Sequence, residues 1–449
     1  MVASGLDATV TRRRALGLGA AGLGAFYLAA CGGSSTGAGA GRDVAAVFDF
    51  EYAGRPGSMK RYWESLADRL AASELDARLT DLQLVPYANM QARLQSNHAA
   101  RRGPELETWF PDWFTYEFIA QDALVPVEDN VGAGATDDWL FTNRIGGKYW
   151  GAPFYAEQAL LVANRDHLNA AGVEVGRRLE SWPSFMDACE RIRRRGETPI
   201  TIGVADGFAA DKWAQAISME FMDSVKQLGE NLLGELATDE PVISAWIERF
   251  GELTAKRYVN ADVNDTTDQQ ALERFLGGEG AFAMIAPGAI FGERPERFQI
   301  VGYWGGPGRY AAPVAVAGDL VLMTAHGENR EAAGRVVEFM QEPAQLALFN
   351  EVTGELPCNR RFDPDGLGEL ARASWDLLVE PGDGKVATWP RNYIPTIGVN
   401  NVMELAPRAF DGESPAALRA ELDGRNAQYR ERNSAQASQF QDYLDSIEG

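Results

Sequence analysis

Cysteine is almost absent from this chain: Cys31, Cys189 and Cys358 are the whole complement in 449 residues. So few thiols cannot build a disulfide framework. Cys189 falls on the apolar stripe of a predicted helix with Trp182, Phe185, Met186 and Ile192. That position favours a buried, reduced thiol over a bridge to Cys358. Histidine is as scarce, and His98, His167 and His326 stand far apart with no pair at metal-ligand spacing, so no metal and no cofactor are expected. Positive charge is in deficit, 42 Lys and Arg against 64 Asp and Glu, for a net charge of -22. A nucleic-acid partner would demand the opposite balance. Long apolar runs are missing beyond residue 30, and a bilayer span needs about 20 such residues. Also missing are a Gly-x-Ser-x-Gly elbow, a phosphate-cradling Gly-x-x-x-x-Gly-Lys and a His-Glu-x-x-His pair. The glycine-rich run 302–308 lacks the helix start that phosphate binding uses.

What is present begins at the N-terminus. Thr11-Arg12-Arg13-Arg14 precedes an apolar run from Ala15 to Ala30, and Leu28-Ala29-Ala30-Cys31 leads into Gly32-Gly33-Ser34-Ser35. Basic residues, an apolar core and small residues at a cut site are the layout of an export signal. The Leu-Ala-Ala-Cys end resembles the lipobox of bacterial lipoproteins, and the paired arginines resemble a twin-arginine signal. The resemblance implies a signal over residues 1–30, lipid on Cys31, and a mature protein held at the outer side of the cell membrane. Residues 31–42 then read as a flexible tether.

Beyond the tether, short apolar runs alternate with amphipathic stretches, an α/β pattern with no internal repeat. Residues 45–50, 82–85, 106–110, 199–204, 281–286 and 320–324 read as strands. Ser58 is placed to cap a helix whose apolar residues Met59, Tyr62, Trp63, Leu66 and Leu70 share one face. Further helices are predicted from near Asp112, from Ser181-Trp182-Pro183, and over 89–101, 209–223, 241–256, 328–341 and 344–351. The tail 415–447 reads as helix with Gly424 as its weak point.

Four stretches then carry a resemblance in their order. They are GPELETWFPDWF at 103–114, GKYWGAPFYAEQALLVANRDHLNAAGV at 147–173, Ser181-Trp182-Pro183-Ser184-Phe185, and FLGGEGAFAM at 275–284 before Pro287-Gly288. The chain resembles the extracellular solute-binding proteins of ABC importers, in the sugar-binding family that includes maltose-binding protein, from residue 43 to about 430. Glu105 stands where that family usually has Asp, and Gly288-Ala289 lacks the aromatic that often follows its Pro-Gly turn. The resemblance implies an α/β protein of two lobes joined by crossing strands, with a ligand cleft between them. Lobe 1 is expected over 43–155 plus 281–325, and lobe 2 over 156–280 plus 326–449. It also implies a monomer that captures a small carbohydrate-like ligand, does no chemistry on it, and passes it to an importer permease. A secreted carbohydrate-active enzyme is the alternative, because 64 carboxylates leave a glycosidase pair open.

A sugar site wants flat rings for the CH faces and carboxylates or amides for the hydroxyls. Trp109 and Trp113 bracket Asp112 at a strand-to-helix junction, where Asp112 suits either a helix cap or a ligand. Asp49 ends the first predicted strand and alternates with Glu51, so at most one of the two faces the mouth. Tyr155 and Glu157 fall at the expected crossing, and Trp213 opens a helix after Asp206. Trp304, Asp319 and Trp389 sit in or beside loops, with Arg309 and Arg391 the basic residues nearest them. Trp63 and Trp182, on helical apolar stripes, are assigned to the core.

Overall fold

In the computed structural model the described residues are 42–48, 57–140, 144–176, 179, 181–292, 295–301, 314–379 and 394–447. The export signal, Cys31, most of the tether, Asp49, Trp304, Arg309, Trp389 and Arg391 lie outside them.

The first half of the chain runs β1 (Asp43–Phe48), α1 (Ser58–Ala71), β2 (Arg78–Leu84), α2 (Tyr87–Ala99), β3 (Leu106–Trp109), α3 (Trp113–Ala120), β4 (Leu124–Val125), β5 (Gly151–Pro153), β6 (Ala156–Asn164), α4 (Arg165–Ala171), α5 (Trp182–Arg193) and α6 (Phe208–Met219). Then come α7 (Gln227–Leu233), α8 (Pro241–Ala255), α9 (Asp268–Gly277), β7 (Phe282–Ile285), β8 (Phe298–Val301), β9 (Val314–Ala317) and β10 (Leu320–Thr324). The chain continues with α10 (Arg330–Met340), α11 (Pro343–Thr353), α12 (Glu369–Val379), α13 (Thr396–Phe410), α14 (Pro415–Arg432) and α15 (Ser434–Ser446).

Two sheets organise these elements. The first has the order β2-β1-β3-β10-β4, with β5 also on β10; β1 is parallel to β2 and β3, and β10 is antiparallel to β3. Helical crossovers cover both faces, so β1 is apolar on both. Val44, Ala46 and Phe48 join Trp63 of α1 and Val336 of α10, while Val47 points the other way onto Met90 and Leu94 of α2. The second sheet centres on β6, flanked by β7 and β8, with β9 on its first residues. Leu161 and Ala163 face the cluster of α5, α6 and α8, whereas Leu160 and Val162 face Phe275 of α9 and Leu370 and Leu377 of α12.

Four expectations need correction. Ser58 is the first helical residue and Gly57 the cap, at φ 70°, a left-handed conformation open to glycine at little cost. Residues 199–204 form an extended segment outside both sheets' named strands, held by parallel bridges from Ile200 to Val259 and Phe282. Gly424 lies inside an unbroken α14, and the tail breaks at Asn433 instead. The lobe ranges also shift: β7, β8 and β9 pair with β6, not with the first sheet, while α10 and α11 pack on the first sheet beside α1. Strand partners sit far away in sequence, so local pattern could not assign them.

Cys189 and Cys358 are free thiols, buried in separate clusters. Trp63 and Trp182 are core residues, as read. No described helix is long and apolar enough to cross a membrane.

Candidate functional site

Three segments cross between the sheets side by side. Residues 153–156 link β5 to β6, 317–320 link β9 to β10, and 354–359 leave α11 toward α12. Phe154 donates its N–H to Asp319 O at 3.0 Å, Gly318 to Tyr155 O at 2.8 Å, and Ala156 to Leu356 O at 2.8 Å. Tyr155 also bridges Pro357. The crossing is tight enough to require glycine at 318, where a Cβ would lie 2.2 Å from Tyr155 Cζ. Behind it, the buried Gln341 amide donates to Pro153 O at 3.1 Å and accepts from Asn359 at 2.7 Å.

Strand direction places the mouth. β10 starts at the crossing and runs away from it, so antiparallel β3 and parallel β1 run toward it. In the other lobe β6 runs away from the crossing, and β7 and the 199–204 segment run back. Carboxyl ends from both lobes therefore converge on the crossing segments, the place where open α/β sheets bind ligands.

On the lobe 1 side, Asp112 caps α3. Its Oδ1 accepts from Phe114 N at 3.0 Å, Thr115 N at 3.3 Å and Trp109 Nε1 at 3.0 Å. The Trp109 ring is buried beneath Phe110 and Phe114, edge-on at 5.4 and 6.4 Å, and those two rings with Asp112 are part-exposed. On the lobe 2 side, Phe208 is 50 % exposed at the start of α6. Asp206 accepts from Phe208 N at 3.4 Å and from Asp268 N at 3.1 Å, and Lys212 pairs with Asp268 at 2.6 Å.

The candidates thus fall into groups. Trp109, Asp112, Tyr155 and Asp319 are brought together at the crossing, all buried except Asp112. Tyr155 stacks on Phe349 of α11 at 6.3 Å. Glu157 lies in β6 opposite Val316, with its side chain outside the described residues. Trp113 is buried against Phe440 and Tyr443 of α15, and Trp213 is packed beside Phe185 in the core of lobe 2. Sequence reasoning passed over Phe110, Phe114 and Phe208. An aromatic directly after Asp206-Gly207 at a predicted strand-to-helix turn was the available signal. Among the described residues no group of His, Cys, Asp and Glu is arranged to hold a metal.

Two α/β lobes, three crossing segments and a mouth at the carboxyl ends of both sets of strands define a two-lobed binding protein. The chain belongs to the bacterial extracellular solute-binding protein family, whose model matches residues 57–347. That family is one of binding proteins, not enzymes, and its members work outside the cell. Among solved structures, a chitin oligosaccharide binding protein shares 15% identity over 86% of this chain and 98% of its own, at a TM-score of 0.69. The bacterial solute receptor AcbH, described as exclusive for β-D-galactopyranose, shares 16% over 86% and 97%, at 0.70. An ABC transporter solute-binding protein from Thermotoga lettingae, bound to α-D-tagatose, shares 15% over 86% and 100%, at 0.62. At these identities the likeness concerns the fold. No curated protein sequence matches the chain.

Proposed function

We propose that this protein captures a carbohydrate-like ligand between its lobes and delivers it to the membrane permease of an ABC importer. The observation that carries the ligand class is the pairing of part-exposed rings with carboxylates on both sides of one mouth: Phe110 and Phe114 with Asp112, Phe208 with Asp206. Rings stack on the CH faces of a sugar while carboxylates accept its hydroxyl hydrogens. The sugars bound by the three similar structures support the same class. Asp49, Glu157, Trp304, Asp319 and Trp389 remain contact candidates, and Trp109 and Tyr155 hold the mouth from beneath. Closure about the crossing segments would bury the ligand and present both lobes to the permease. Lipid on Cys31 and the following tether would keep the monomer at the membrane surface.

A thermal-shift screen of the chain from residue 32 onward tests this, with mono- and oligosaccharides, polyols, glycerol phosphates and amino acids. Ligand at 100 times its dissociation constant adds about 2.7 kcal/mol, several degrees of melting temperature. The expected result is a shift with a sugar that is recovered unchanged. A shift only with amino acids or phosphates would overturn the ligand class, and cleaved sugar would overturn the binding role.

A further inference from the structure

α3 is a helix with two loyalties. Phe114 and Phe118 hold it to lobe 1, Phe114 against Trp109 and Phe118 at 4.4 Å from the His98 ring of α2. Three to four residues apart on another face, Trp113, Tyr116 and Glu117 turn toward the C-terminal helices. Trp113 meets Phe440 edge-on at 5.2 Å and Tyr443 at 5.4 Å, and Tyr116 lies 4.6 Å from Tyr443. Beyond the rings, Gly146 N donates to Ser446 O at 3.0 Å, and Ile145 bridges Ile447.

The opposite side of α15 is fixed to lobe 2. A Cβ on Gly229 of α7 would come within 2.9 Å of Phe440 Cζ and 2.7 Å of Leu444 Cδ1, so helix and backbone are in direct contact. Asn426 of α14 donates to Asn231 of α7 at 2.8 Å, tying in the helix that precedes α15. A single helix is therefore packed on both lobes at once, through residues that are not part of the three crossing segments.

We propose that α15 is a fourth link between the lobes, with Trp113 and Tyr116 as positioning residues that confine lobe motion to bending about one axis. Three segments crossing side by side resist separation but permit twist, and a packed aromatic contact made by other residues removes that freedom. Trp113 then sets the geometry of the mouth without touching ligand. The consequence for affinity rests on the binding reading above, but the mechanical statement does not.

The test therefore uses protein without ligand. Spin labels at Glu331→Cys on α10 and Arg194→Cys after α5, both well exposed, report the interlobe distance, while buried Cys189 and Cys358 stay unlabelled. Cys31→Ser removes the remaining thiol. In Trp113→Leu/Tyr443→Leu the distance distribution is expected to broaden about twofold. Phe250→Leu, which breaks a 4.6 Å stack on Phe410 inside lobe 2, is expected to lower the melting temperature and leave the width unchanged. Tyr116→Leu, at a part-exposed position, gives the same broadening in smaller measure should the double variant not fold. A parental width in the folded α3 or α15 variants, or equal broadening in Phe250→Leu, would overturn the proposal.

Discussion

Asp112 shows how much one side chain can carry at this mouth. One carboxylate oxygen closes two backbone N–H groups of α3 and the Trp109 indole N–H. Asp112→Ala is expected to cost about 1–2 kcal/mol, seen as a melting-temperature drop of a few degrees, with Asp112→Asn close to the parent. The cysteines behave as small buried hydrophobes: burial raises the Cys189 thiol and pushes Cys358 up to about 12. In protein lacking Cys31, a thiol reagent at pH 8 should label neither residue until denaturant is added, and both afterwards. His326 supplies a pH dependence. Its pKa is lowered, by burial first and then by the neighbouring His98, Arg101 and Arg330, with Glu107 opposing. The unfolded chain therefore takes that proton first, and its contribution to stability, complete above about pH 6.5, is lost as pH falls toward the lower native value. Melting temperature measured from pH 7.5 to 5 should fall less steeply in His326→Gln than in the parent.

At the scale of elements, apolar spacing was a good guide wherever a helix or strand has one buried face. The stripe of α1, the Ser181 cap of α5 and the bounds of β10 follow the residues as read. The 199–204 segment has the composition of a strand, yet its ladder is confined to Ile200. Its other backbone bonds are isolated, among them Thr201 N to Phe282 O at 2.9 Å and Val204 N to Val263 O at 3.0 Å, because continuous pairing depends on a partner supplied from elsewhere. β8, β9, α12 and α13 were passed over. β8 and β9 are four residues each and depend on distant partners, whereas α12 does carry a helical apolar stripe, Leu370, Ala371, Ser374, Trp375 and Leu378, that was there to be read. Gly424 illustrates the opposite error. Propensity marks it as a break, yet packing of Leu418, Leu422 and Tyr429 holds α14 through it. A Cβ there meets nothing within 4 Å, so Gly424→Ala should stabilise the protein by about 0.5–1 kcal/mol in a urea melt.

For the whole molecule, the function proposed above has two lobes closing about three adjoining segments. A ligand that binds between them should compact the protein, which small-angle scattering would record as a smaller radius of gyration at saturating ligand. Gly318→Ala is expected to disturb this more than any exposed change. Its methyl would overlap the Tyr155 ring at the crossing, lowering stability and weakening the ligand-induced compaction together. The high acidity of the chain acts at this scale too, as solubility and steering rather than as a description of the site.

Local sequence by itself determined the α/β character, the existence of most helices and the resemblance to solute-binding proteins, and it favoured a buried Cys189 without deciding whether it is bridged to Cys358. Those properties are written in period, capping residues and motif order, which neighbouring residues share. Only the tertiary structure decided which strands belong to which lobe. It also decided that Asp112 is a cap, that Trp113 and Trp213 are buried, and that Phe110, Phe114 and Phe208 are the part-exposed rings. Whether an aromatic faces solvent or core depends on what the rest of the chain packs against it, and those partners lie tens to hundreds of residues away.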